Sequence, residues 1–157
     1  MHVFVHFLRR RLENEVLGER AMQSICPTHE LETAKTILVV EDEAPTRKLI
    51  GLILRQAGYA VLEAGDGETA RDVYRGNRGK IDLLLTDISL PGTTGCELAA
   101  HLQESEPDLT VLFMSGMPQP NVTGPFLRKP FGVAELLRRV QLLSGNASHP
   151  RTAYGPH

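Results

Sequence analysis

Residues Ile81–Pro91 read I-D-L-L-L-T-D-I-S-L-P. Leu83, Leu84 and Leu85 form a short apolar run of the kind that a strand buried on both faces needs. The run stops at Thr86 and Asp87, and Pro91-Gly92 then breaks the chain. A carboxylate at the carboxyl end of a buried parallel strand stands where open α/β sheets place their ligand sites. Asp is also a common turn residue, so this stretch alone reads equally well as a strand with a capping Asp87.

Upstream, Thr36–Val40, T-I-L-V-V, predicts a first buried strand that runs straight into Glu41, Asp42 and Glu43. Pro45 suits the first turn of a helix. Leu49, Ile50, Ile53, Leu54 and Ala57 recur at helical spacing as its core stripe, and Gly58 is placed to end it. Tyr59–Ala64 predicts a second strand, less apolar and so nearer an edge. Asp66-Gly67 turns into a second helix with Ala70, Val73 and Tyr74 inward. Downstream of Asp87, Thr94 and Glu97 form a T-x-x-E capping box for a third helix, with Leu98, Ala99 and Leu102 inward. Leu109–Ser115 predicts the fourth strand and Phe126–Arg128 a short fifth. Gly132–Ser144 predicts the last helix, with Leu136, Leu137, Val140 and Leu143 inward. The alternation of strand and helix implies a mostly parallel sheet covered on both faces.

One connection breaks the alternation. Gly116–Pro125, G-M-P-Q-P-N-V-T-G-P, carries three prolines and two glycines in ten residues, which opposes a regular helix. Ten extended residues reach about 33–36 Å, enough to cross back over a strand of ~17–20 Å. A helix-free crossover between the fourth and fifth strands is therefore expected.

The 157-residue length suggests one domain. With 17 basic and 19 acidic side chains the chain lacks the basic excess of a nucleic-acid-binding surface. No apolar run approaches the ~18 residues of a membrane span. The apolar start at Met1–Arg11 precedes its charge, the reverse of a secretory signal, so a cytoplasmic protein with no membrane partner is expected. Cys26 and Cys96 have no metal or redox spacing and read as free thiols. In residues 1–34, Leu8, Leu12, Val16 and Leu17 fall roughly on one helical face. The segment reads as an extension, disordered or partly helical, with a docking arm as the competing reading. Residues 145–157 read as a disordered polar tail.

Glu41 and Asp42 follow the first strand and Asp87 the third, so these carboxylates fall at neighbouring strand ends. Packed together they repel, unless a cation intervenes. A hard divalent ion with oxygen ligands answers this, and Mg²⁺ fits best. The plainer alternative is a set of solvated loop charges. Ser115 ends the fourth strand and Lys129 the fifth. Separately they read as a turn former and a solvated cation. Together with the acids they match the needs of phosphoryl transfer: a nucleophile, a metal, and donors for equatorial oxygens.

The motifs L-V-V-E-D-E, L-L-L-T-D-I-S-L-P-G, V-L-F-M-S-G and L-R-K-P-F, in this order, resemble the receiver domain of two-component response regulators over residues 35–144. The resemblance implies a doubly wound five-stranded parallel sheet in the flavodoxin-like order 2-1-3-4-5, with the family's fourth helix absent or degenerate here. It implies that Asp87 is the phosphoacceptor, taking its phosphoryl group from a sensor histidine kinase or a phosphotransfer protein. Asp42 and Glu41 would bind Mg²⁺, with Ser89 lending its backbone carbonyl. Ser115 and Lys129 would contact the phosphoryl group. Lys129–Pro130 would be a cis peptide, and Phe126 either a switching aromatic or a plain core residue.

The resemblance implies no enzyme in the ordinary sense, only self-directed phosphoryl transfer and autodephosphorylation. The ~13 residues after Ser144 fall short of the ~50 a domain needs, so a single-domain regulator is expected, binding a downstream protein or relaying phosphate. The competing function is a phosphorylation-independent protein-binding module on the same fold. An Asp-nucleophile phosphatase is disfavoured, because Ser89 stands where such enzymes carry a second acid.

Overall fold

In a computed structural model, residues 34–118 and 120–145 are described; the expectations for residues 1–33 and 146–157 lie outside them. Among the described residues the order is β1 (Thr36–Val40), α1 (Ala44–Gln56), β2 (Ala60–Ala64), α2 (Gly67–Gly76), β3 (Leu83–Asp87), α3 (Gly95–Ser105), β4 (Thr110–Ser115), β5 (Phe126–Arg128) and α4 (Val133–Ser144). The strands form one sheet in the order β2-β1-β3-β4-β5, and every neighbouring pair is parallel. This is the doubly wound, flavodoxin-like arrangement that the alternation and the motifs predict.

The apolar runs became central strands because side chains alternate between two faces, and both faces are covered. Leu38, Val40, Leu84, Val111 and Phe113 point to one side, where Ala70 and Tyr74 of α2 and Leu98, Ala99 and Leu102 of α3 meet them. Ile37, Val39, Leu83, Leu85, Leu112 and Met114 point to the other, against Ile50 and Leu54 of α1 and Leu136 and Val140 of α4. β2 lies at an edge and is the less apolar strand, with only Ala64 fully buried.

The helix ends follow local chemistry. The Asp66 carboxylate accepts the Thr69 N–H at the start of α2, 2.7 Å away. Thr94 and Glu97 make the reciprocal capping box at the start of α3. Gly58, at φ +95°, lets the chain leave α1 in the left-handed region.

Several sequence expectations shift. Leu49 is 58% exposed and Ala57 is also exposed, so the α1 stripe is narrower than its apolar residues suggested. Tyr59 and Leu109 precede their strands. Their N–H groups bond to Leu54 O and Glu106 O, closing the preceding turns instead of joining the sheet ladder. Gly132 is the N-cap of α4, not its first residue.

No helix lies between β4 and β5 among the described residues. Val122 and the half-buried Phe126 pack against the Phe113 side of the sheet, and Phe113 N–H bonds to Pro125 O at 3.0 Å. This crossover supplies apolar cover to that end of the sheet. No described helix is long and apolar enough to cross a membrane.

Candidate functional site

Parallel pairing sets β1 and β3 side by side, with Val40 opposite Thr86, so the residues that follow share one rim of the sheet. Glu41, Asp42 and Asp87 each place a carboxylate oxygen there, all within 4.8 Å of one another. Glu41 is 1% exposed and Asp87 8% exposed, whereas Asp42 is open to solvent. Two buried acids this close need a counter-charge.

Lys129 supplies it. The chain turns from β5 toward the rim, and Lys129 N–H is held by Ser115 O at 2.8 Å. Its ammonium donates to Glu41 Oε2 at 2.6 Å and to Asp87 Oδ2 at 2.5 Å. Burial alone would depress the Lys129 pKa, but the hydrogen bonds to Asp87 and Glu41, with the charges of both acids, outweigh it and hold the pKa above its ordinary value. The Glu41 carboxyl is pushed above its usual range, first by burial and then by the Asp87 charge, against the opposing pull of Lys129. The Lys129–Pro130 bond is cis.

The remaining contacts orient the acids. Asp87 Oδ1 accepts the Ser89 N–H at 2.8 Å, and Glu41 Oε1 accepts the Glu43 N–H at 3.3 Å. Ser89 is exposed and touches the site through its backbone. Ser115 is buried at the end of β4, where its hydroxyl accepts the Met117 N–H at 3.0 Å. Phe126 lies on the Phe113 side of the sheet, opposite that residue in the ladder. The structure thus brings Glu41, Asp42, Asp87 and Lys129 together, sets Ser115 at the neighbouring strand end, and leaves Phe126 half-buried against the core on the Phe113 side.

The oxygen set suits a small hard cation. Ligands on opposite sides of a Mg²⁺ ion lie roughly 4.2 Å apart, given Mg–O distances near 2.1 Å. Three carboxylate oxygens within 4.8 Å approach that size, and the exposure of Asp42 leaves room for retained water.

Sequence reading passed over two contributors. Gly95 opens α3 directly beneath Asp87: a Cβ there would lie 2.1 Å from the Asp87 carbonyl oxygen. Its N–H bonds to Ile88 O at 2.8 Å. A glycine in the first turn of a well-capped helix, where propensity disfavours it, was the available signal. Arg47 on α1 donates to the Glu41 carbonyl at 2.6 Å. One arginine among many gives no comparable sequence signal.

The chain is similar to known proteins in sequence and fold. Residues 37–141 match the family of the response regulator receiver domain. The response regulator receiver protein CpdR of Brucella abortus is 33% identical over 115 residues, which cover 68% of this chain and 94% of that protein. The phosphate regulon transcriptional regulatory protein PhoB of Pseudomonas aeruginosa is 38% identical over 117 residues, 68% of this chain and 50% of that protein. The chain thus spans about half the length of several curated relatives it matches.

Among solved structures, the receiver domain of the hybrid histidine kinase CckA superposes with a TM-score of 0.64 at 38% identity, covering 69% of this chain and 98% of that one. The response regulator TrrA of Thermotoga maritima, solved in complex with Mg²⁺-BeF, gives 0.63 at 29% identity, covering 69% and 98%. Sequence and the doubly wound parallel sheet are therefore shared with a known group: the chain belongs to the response regulator receiver domain family.

Proposed function

We propose that Asp87 accepts a phosphoryl group from a phosphohistidine on a histidine kinase or phosphotransfer protein, with Mg²⁺ held by Glu41, Asp42, Asp87 and the Ser89 carbonyl. The observation that carries this reading is the Lys129 ammonium set between the Glu41 and Asp87 carboxylates at the rim of the sheet. The reading is supported by the three carboxylates and the ammonium lying together at the rim, and TrrA, similar in fold, was solved with Mg²⁺-BeF.

An Asp87 carboxylate oxygen attacks phosphorus, the P–N bond breaks, and its electron pair stays on the imidazole nitrogen. The product is an acyl phosphate on Asp87. A bound Mg²⁺ would supply positive charge to offset that of the phosphoryl oxygens beside the acids. Lys129 keeps one hydrogen bond to the buried Glu41 and offers the ammonium's other protons to the phosphoryl oxygens. Ser115 donates its hydroxyl proton to the same group while its lone pair keeps the Met117 N–H. Phe126, paired in the β4–β5 ladder with Phe113 two residues before Ser115, is the switching aromatic that responds as Ser115 engages the phosphoryl group. Hydrolysis restores the carboxylate: water attacks phosphorus and the acyl P–O bond breaks.

The output is either binding of a downstream protein or transfer of the phosphoryl group to a second histidine. The crossover replaces a helix on the β4–β5 side, so that face presents a proline-rich surface to any partner. The test is incubation of the full chain with acetyl phosphate and Mg²⁺, read by intact mass. One added phosphoryl group, lost without Mg²⁺, supports the reading; no adduct would leave a phosphorylation-independent binding module as the function.

A further inference from the structure

We infer that Arg47 is the positioning residue for the metal-binding acids, acting through the backbone of Glu41 and Asp42 and not through their carboxylates. This inference rests on the Mg²⁺ reading proposed above. Its guanidinium lies behind the acidic turn. Nη1 donates to the Glu41 carbonyl at 2.6 Å and reaches the Asp42 carbonyl at 3.5 Å. Both carbonyls belong to residues whose side chains face the ion site, so fixing them fixes the origin of two ligands at once.

The clamp is itself held. Arg47 Nε lies 4.0 Å from Glu63 Oε2 on the neighbouring edge strand β2, and the other Glu63 oxygen is held by Arg55 at 2.7 Å. Two glycines make room for this relay. A Cβ at Gly65 would stand 3.2 Å from Arg47 Nη1, and one at Gly51 would stand 2.5 Å from Glu63 Oε1. Arg47 is largely covered, with 18% of its side chain exposed, so its guanidinium is confined by packing as well as by partners. One nitrogen, Nη1, faces both carbonyls while Nε faces Glu63, a division of donors that a single lysine ammonium on a flexible stem does not reproduce.

Charge and geometry make opposite predictions for this residue. A cation near the acid cluster repels Mg²⁺, so if Arg47 acted through its charge, removing it would tighten Mg²⁺ binding. If it acts by holding the turn, removing it weakens binding. Groups that orient metal ligands typically change affinity 10–100-fold when lost.

The experiment is Mg²⁺ titration of the full chain by calorimetry, for wild type, Arg47→Ala, Arg47→Lys and Gly65→Ala, with folding checked by circular dichroism. Arg47→Ala is expected to raise the Mg²⁺ dissociation constant about ten-fold. Arg47→Lys should recover part of the loss. Gly65→Ala, which keeps the charge and crowds Nη1 at 3.2 Å, should weaken binding in the same direction by a smaller factor. In acetyl phosphate labelling, the Mg²⁺ concentration for half-maximal rate should rise while the rate at saturating Mg²⁺ holds, a split that a general loss of stability does not produce. Unchanged or tighter Mg²⁺ binding in Arg47→Ala overturns the inference and leaves the phosphoacceptor reading standing. If that variant fails to fold, Mg²⁺ binding as tight in Arg47→Lys as in wild type overturns it equally. A wild-type chain that binds no Mg²⁺ overturns the metal reading itself, and this inference with it.

Discussion

Lys129 Nζ lies 2.5 Å from Asp87 Oδ2, although 42 residues separate them in the chain. Every strand between them takes part in that meeting: β3 delivers Asp87, β4 holds the Lys129 backbone through Ser115, and β5 leads into it. The same ammonium reaches Glu41 at the end of β1. The rim is therefore an electrostatic knot whose parts come from four of the five strands of the sheet.

Removing the cation tests how much of the fold depends on it. Lys129→Ala leaves Glu41 and Asp87 buried together without a counter-charge. Loss of hydrogen bonds to charged groups costs about 1.5–3 kcal/mol, and because the Lys129 side chain is 25% exposed the expected loss lies at the lower end. Thermal melts without Mg²⁺ should show a lower midpoint than wild type. Mg²⁺ should raise the midpoint of the variant by more than it raises that of wild type, since the competing cation is gone.

Gly95 tests the support beneath the acceptor. The Cβ of Gly95→Ala would fall 2.1 Å from the Asp87 carbonyl oxygen, a methyl against backbone, so the start of α3 must move. Overpacking of this kind costs about 1–3 kcal/mol. Urea denaturation should show that loss, and acetyl phosphate labelling should slow because Asp87 is displaced.

Tyr74 gives a signature at alkaline pH. Its hydroxyl donates to Glu106 Oε2 at 2.7 Å. Burial, and then that hydrogen bond, push its pKa from 10.0 up to about 12. The fold thus favours the protonated phenol. Its stabilising contribution is complete below pH 10 and fades as the pH rises through about 12. Tyr74→Phe should lose about 1 kcal/mol near neutrality. Its denaturation midpoint should also fall less than that of wild type between those two pH values.

The capping box gives the acid counterpart. Hydrogen bonds from Thr94 N–H, and then from the Thr93 and Thr94 side chains, hold the Glu97 carboxyl below its usual value of 4.5. A depressed carboxylate stabilises the fold above that value and loses its contribution as pH falls through the lower folded-state pKa. Thr94→Ala should cost about 1 kcal/mol by urea denaturation at neutral pH and flatten part of the acid limb of the stability profile.

Much of this was legible in the residues. β1, β3 and β4 announced themselves because strands buried on both faces must be apolar at nearly every position, as Leu83, Leu84 and Leu85 are. The acids were legible because they stand at the ends of such strands. The helix-free crossover followed from proline and glycine, whose backbone limits act locally. Leu49 misled because an apolar residue on a helix flank can stay exposed; only packing decides. Arg47 was invisible because its partners are backbone carbonyls, and a carbonyl has no letter in a sequence. The burial of Glu41 beside an exposed Asp42 depends on how α1 leaves the rim, which neither letter records.

The central claim is that Asp87 carries the phosphoryl group. Acyl phosphates are reduced by borohydride, which converts the modified aspartate to homoserine and marks the position in the chain. After treatment with acetyl phosphate and Mg²⁺, peptide mass mapping should find homoserine at position 87 in wild type and none in Asp87→Asn. Homoserine arising from Asp42 or another acid, or labelling that persists in Asp87→Asn, would contradict it.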